Sequence, residues 1–210
     1  MSKRFQYQGM RITRYALCLM VITGLSEPLA AEVQKRAEAA VSKAETLEQT
    51  TVEEGDVTRA GFRGAITKAE ARAVDPSGDA PLEDAITCLA RSIYWEAKGE
   101  TTASMEAVAM VVMNRLASSE YPKTVCDVVK QGSEQGACQF SWWCDGRPDT
   151  VQEEDPYRIA TDVARKALNG QLKDRTNGAL FFHDRRVSPT WAGVFTKTAE
   201  AGNLLFYRPD

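Results

Sequence analysis

Residues 103–116, ASMEAVAMVVMNRL, are apolar around most of a helical circumference. Met105, Val108, Ala109, Val112 and Leu116 make one stripe, and Met110, Val111 and Met113 extend it onto other faces. A helix without a polar side has to be enclosed by other elements, so this segment predicts a helix running through the middle of a core. Thr101, Thr102 or Ser104 supplies its N-cap, and Asn114 with Arg115 closes its far end.

The segment before it, residues 82–100, reads as another helix. At about 100° per residue, Leu82, Ala85, Ile86, Leu89, Ile93 and Glu96 fall within roughly a 100° arc, the width of a core-facing stripe. One member of that stripe is a carboxylate. On an apolar face Glu96 loses hydration, which favours the neutral acid and raises its pKa toward the range a general acid needs near neutral pH. Lys98-Gly99 is a C-terminal stop, so the negative end of the helix dipole acts in the same direction. The structural alternative is a glutamate that turns to solvent or pairs with Arg91 or Lys98.

A third helix is signalled by Asp155-Pro156 at its start, the stripe Ile159, Val163 and Ala167, and Asn169-Gly170 at its end. The short apolar pieces 179–182 and 204–207 then suit paired strands. Helices first and a small sheet later predict a mainly helical α+β domain over residues 81–210. Upstream, residues 31–80 are rich in Ala, Glu, Lys, Arg and Thr with one aromatic, Phe62, a texture that predicts a charged low-complexity linker. Val33, Ala37, Ala40, Ala44 and Leu47 allow a partial helix within it, and Gly55, Gly61, Gly64 and Asp75-Pro76-Ser77-Gly78 interrupt any longer one.

Residues 1–30 have the layout of a secretory signal peptide: Lys3, Arg4, Arg11 and Arg14, an apolar run over 15–25, then Pro28-Leu29-Ala30-Ala31. The run is short of the ~20 residues of a spanning helix, so export to the periplasm or cell envelope, without stable membrane insertion after cleavage, is the expectation. A net charge of -3 gives no electrostatic footprint for nucleic acid.

Cys18 leaves with the signal, and Cys88, Cys126, Cys138 and Cys144 remain, an even set in a chain bound for an oxidising compartment. Three connectivities exist, and the close spacing of Cys138 and Cys144 makes a small loop between them the simplest, with Cys88 then pairing Cys126. A zinc site built from the same thiolates lacks C-x-x-C spacing. No metal and no organic cofactor is implied, and no protein partner can be named.

Between the second and third helices lies CQFSWWCDG, residues 138–146, where aromatic rings and short polar side chains share one loop. Rings stack on the apolar face of a sugar while Gln and Ser satisfy its hydroxyls, so the loop suits carbohydrate. The alternative is that Trp142 and Trp143 are core residues. Adjacent residues of an extended segment face opposite ways, which points to at least one of them lining a groove.

The strings ARSIYWEAKGE (90–100), AVAMVVMNR (107–115), YPKTVC (121–126) and CQFSWWCDG resemble the SleB/CwlJ-type cell wall hydrolases, as do Phe182-His183, Ser188-Pro189 with Trp191, and Leu205-Phe206-Tyr207. The resemblance implies a lysozyme-like or lytic-transglycosylase-like fold. It also implies cleavage of the β-1,4 bond between N-acetylmuramic acid and N-acetylglucosamine in peptidoglycan glycan strands, without a cofactor. By the same resemblance the first glutamate of E-A-x-G-E, Glu96, is the catalytic one, and Lys98 stands where arginine is common. Gln139, Ser141 and Trp142 are candidate glycan contacts. Glu100 either holds substrate or is a capping carboxylate, and His183 either lines the cleft or is structural. Glu100 and Asp145 are the candidates for a second acid in a hydrolytic route. The competing functions are a peptidoglycan amidase, against which a single histidine argues, and a non-catalytic glycan-binding envelope protein.

Overall fold

The structure is a computed structural model that describes residues 27–57, 64–135 and 138–210. Among these, six α-helices precede and surround a small sheet: α1 (Glu27–Glu54), α2 (Lys68–Val74), α3 (Ala85–Ala97), α4 (Thr102–Ala117), α5 (Val125–Lys130) and α6 (Glu154–Leu168). Strands β1 (Phe181–Asp184), β2 (Thr196–Ala201) and β3 (Leu204–Arg208) pair antiparallel in the order β1-β3-β2. The mainly helical α+β class is as expected, and α2, α5 and β2 are elements the sequence pattern did not reveal.

Helix α4 is the buried axis of the domain, with Met105, Val108, Ala109, Val111, Val112 and Leu116 all inaccessible or nearly so. Of its candidate caps, Thr101 takes the role and accepts from Ser104 N. Helix α3 begins later than expected, at Asp84, whose side chain accepts from Thr87 N. Leu82 lies ahead of the helix but still in the core. Every residue from Ala85 to Tyr94 is buried, so α3 has no single inward stripe. Inward direction alone therefore does not distinguish Glu96; its place in the last turn, where the helix leaves the core, does. In α6 the buried face is Tyr157, Ala160, Val163, Ala164, Ala167 and Leu168, and Ile159 is exposed, contrary to the expected stripe.

The composition of residues 31–80 predicts a linker, but from Ala40 onward the described part of that stretch lays one face against the core, while residues 31–36 are exposed. Helix α1 lays Ala40, Ala44 and Leu47 against the core, and Ile66 and Ala71 join them. Alanines at a spacing of four let α1 approach closely without large side chains, which is why an apolar count overlooks the contact. Polar groups fasten it as well: the buried Glu48 carboxylate accepts from Val125 N at the start of α5 (2.6 Å), and Asn169 pairs both polar groups of the Ile66 backbone at 2.9 Å. Most of the expected export signal, residues 1–26, lies outside the described residues, and residues 27–30 open α1. No described helix is long and apolar enough to cross a membrane.

Both expected disulfides are present, Cys88–Cys126 and Cys138–Cys144. The first ties α3 to α5 across 38 residues, a loop long enough for the cross-link to stabilise by about 3–4 kcal/mol through the unfolded chain. The second closes the aromatic loop. One face of the sheet, carrying Phe182 and Phe206, meets Phe140 and the helices. On the other, Trp191 and Phe195 fold over Phe181 and Tyr207.

Candidate active site

The last turn of α3 presents Trp95 and Glu96 to a cleft of about 480 Å³. Lys98 completes that wall, its ammonium 4.5 Å from the Trp95 ring. The opposite side is formed by Ser141, Trp142 and Asp145 from the disulfide loop and by the segment 147–152. Trp142 is almost wholly buried and forms a wall of the cleft, whereas Trp143 turns away to lie under the Lys130 ammonium at 5.2 Å. The two adjacent rings thus face different ways, but not for the reason expected: Ser141–Trp143 is a single 3-10 turn rather than an extended segment, and its three residues per turn set the rings apart.

Glu96 is partly buried, and its carboxyl makes no hydrogen bond or ion pair among the described residues. Burial pushes its pKa up to about 7, against the pull of the nearby Arg115 cation. Two effects compete here, and desolvation wins because no donor touches the carboxylate to repay its lost hydration. Arg115 itself is buried near the end of α4. Its Nε donates to Leu180 O (2.7 Å) and its Nη2 to Gln139 Oε1 (3.2 Å), and its guanidinium sits 5.4 Å from the rings of Tyr121, Phe140 and Phe181. Burial lowers its pKa to about 10, so it remains a cation at neutral pH. The sequence pattern assigns Arg115 only to the helix end. A buried arginine one helix away from a buried acid shows itself only in three dimensions.

Of the expected site residues, Glu96, Ser141 and Trp142 line one cleft. Glu100, Gln139 and His183 do not line it. Gln139 is exposed and serves Arg115. His183 donates from Nδ1 to Asp184 O (2.9 Å), which leaves Nε2 to accept from the Tyr207 hydroxyl (3.1 Å), and its ring stacks on Tyr207. Glu100 reaches the hairpin between β2 and β3, where its carboxylate accepts from Asn203 N (3.2 Å) and Asn203 Nδ2 (2.8 Å). Asp145 therefore remains as the carboxylate facing Glu96 across the cleft, together with Asp149, whose pKa is raised by burial and by Asp145 and held back by Arg91.

Gly202 at the hairpin tip has φ +57, and a Cβ there would overlap the Glu100 carboxylate and Ser104 Oγ. The tip is thus docked against the α3–α4 junction. Gly202→Ala is expected to destabilise the fold by about 1–3 kcal/mol through left-handed backbone strain and overpacking, read as a lower urea midpoint. An unchanged midpoint would mean that the hairpin is not held there in solution.

Residues 99–207 match the family model described as Cell Wall Hydrolase. The chain belongs to the cell wall hydrolase family. Ser141, Trp142 and Arg115 lie inside the matched segment, and Glu96 lies just ahead of it. Among curated relatives of this cell wall hydrolase family member, a spore cortex-lytic enzyme of Bacillus cereus is 24% identical over 168 residues, covering 78% of this chain and 61% of the relative. A spore cortex-lytic enzyme of Halalkalibacterium halodurans is 33% identical over 97 residues, 46% of this chain and 26% of that protein. The chain thus spans about three fifths or less of the length of these relatives. Among solved structures, the catalytic domain of the germination-specific lytic transglycosylase SleB from Bacillus anthracis aligns with a TM-score of 0.48 at 25% identity, over 59% of this chain and 93% of that one. The catalytic domain of Bacillus cereus SleB aligns with a TM-score of 0.47, also at 25% identity, over 59% of this chain and 88% of that one.

Proposed function

We propose that this protein cleaves the β-1,4 bond between N-acetylmuramic acid and N-acetylglucosamine in peptidoglycan, as a lytic transglycosylase of lysozyme-like fold. Glu96 is its general acid and base. The observation that carries the reading is an unpaired carboxyl, held near pKa 7 by burial, at the wall of a cleft lined by Trp95 and Trp142. Such an acid is about half protonated at neutral pH and can both give and take a proton. The family membership and the spore cortex-lytic relatives support a cell wall substrate. The chain's expected export signal is in keeping with action in the periplasm or envelope.

In this mechanism protonated Glu96 donates to the glycosidic oxygen as the bond to the muramyl C1 breaks, and positive charge develops on that sugar. The resulting carboxylate is stabilised by the Arg115 cation. It then takes the proton of the muramyl 6-hydroxyl as that oxygen attacks C1, closing a 1,6-anhydro ring and restoring the acid. Ser141 and Trp142 are assigned to holding the glycan. Glu100, Gln139 and His183 act through the framework rather than through substrate.

Asp145 in the cleft favours one second reading, a hydrolytic route in which it assists a water. Mass analysis of fragments from digested sacculi tests both. We expect 1,6-anhydromuramyl ends. Hydrated reducing ends would replace the transglycosylase route with the hydrolytic one, and release of peptides from an uncut glycan would reject glycosidic cleavage in favour of an amidase.

A further inference from the structure

The segment 149–153, which brings Asp149 and Gln152 to the wall of the cleft that Glu96 lines, has no regular secondary structure until α6 begins. An irregular wall keeps its place only if its backbone groups are satisfied by something rigid. Here they are satisfied mostly by α3, the helix that carries the acid. Asp149 O accepts from Arg91 Nη1 (2.7 Å) and from Trp95 Nε1 (3.2 Å). The Tyr94 hydroxyl accepts from Gln152 N (3.1 Å) and Glu153 N (3.2 Å).

A further tie comes from the turn after α2. Val151 N donates to Gly78 O (2.9 Å), and the buried Gly78 lies so close to Val151 that a Cβ there would overlap it. That turn is itself locked to α3. The buried Asp75 carboxylate accepts from Arg91 Nε (3.0 Å), from Tyr157 OH (2.6 Å) and from the backbone of Asp79 and Ala80 (3.0 Å each).

We propose that Tyr94, Arg91 and Asp75 are positioning residues that set the separation between Glu96 and the 149–153 wall, and thereby the fit of the glycan strand in the cleft. None of the three lines the cleft. They act by holding a strap. Because α3 bears both the acid and the groups that grip the strap, one rigid element gauges the opening. The proposal rests on the glycan-cleavage reading above.

Tyr94→Phe is the test, since it keeps the ring and removes the acceptor of two strap N–H groups. With solubilised glycan strands, KM is expected to rise about tenfold with kcat changed less than about threefold, the signature of lost ground-state positioning. Gly78→Ala, which pushes the strap from its other side, gives the same split. Asn169→Ala, which breaks the link to Ile66 away from the cleft, lowers the melting temperature and leaves KM unchanged. The Trp95 indole N–H resonance reports the strap directly: it shifts in Tyr94→Phe and Gly78→Ala and stays in Asn169→Ala. An active Tyr94→Phe enzyme with wild-type KM, or an unmoved Trp95 resonance, overturns the positioning role alone. A wild-type protein that neither binds nor cuts sacculi overturns the glycan reading and this inference with it.

Discussion

Glu96→Gln is expected to lower the rate of sacculus cleavage by about 10²–10⁴-fold while leaving co-sedimentation with sacculi intact, the range for loss of a positioned general acid. The amide is isosteric and cannot donate a proton of suitable acidity, so binding and chemistry separate. Near-normal turnover in this variant would end the assignment.

In the wild type the same group sets the alkaline limb of the activity profile. Activity falls with a one-proton slope as pH rises through about 7, because the acid form is lost. Arg115 favours the carboxylate, so Arg115→Met removes that pull and moves the limb to higher pH.

A stability effect accompanies it, with a definite sign. The folded pKa of Glu96 lies above its ordinary 4.5, so the folded state holds this proton more tightly than the unfolded chain does. That contribution is complete below about pH 4.5 and is lost as pH rises through 7. Glu96→Gln cannot lose it. The variant is therefore expected to match the wild type at pH 4 and to exceed it at pH 9 by up to about 3 kcal/mol in urea denaturation.

The second large effect concerns the ion pair beneath the strap. Arg91 and Asp75 are almost completely buried, with Arg91 Nη2 2.9 Å from Asp75 Oδ2. Arg91→Met is expected to destabilise the protein by about 3–5 kcal/mol, because Asp75 is then a buried charge without its cation. The other donors to Asp75, Tyr157 and two backbone amides, place the loss toward the lower end of that range. Asp75→Asn in the same chain is expected to recover part of it, since the uncompensated charge is gone. Urea midpoints of the two single variants and the double variant check this. Additive losses would mean that the pair is not coupled.

How much of this could be read from the chain follows from the range of the forces involved. Helix α4, the end of α3 and both ends of α6 were legible because periodicity, caps and stops act within a few residues. The acid was legible for a related reason, as a carboxylate at the end of an apolar segment. The Cys138–Cys144 loop and its aromatic pair were legible from spacing alone.

Where the sequence pattern misled, contacts between distant residues had taken over. Helix α1 looks like a linker because its contact surface is alanine, and only the presence of α2, α3 and α4 beside it makes Ala40 and Ala44 core residues. Glu100 and His183 have the residue types of a site, but Asn203 and Tyr207, from the far end of the chain, satisfy them.

By itself, then, the sequence determined that α3, α4 and α6 form, where an inward acid stands and which aromatic loop accompanies it, since each depends on neighbours along the chain. Only the tertiary structure decided that Arg115 lies behind Glu96 and that Asp75, Arg91 and Tyr94 hold the opposite wall. Electrostatic and hydrogen-bond partners are chosen by proximity in space, and the chain order of Asp75, Glu96, Arg115 and Asp149 carries no record of that proximity.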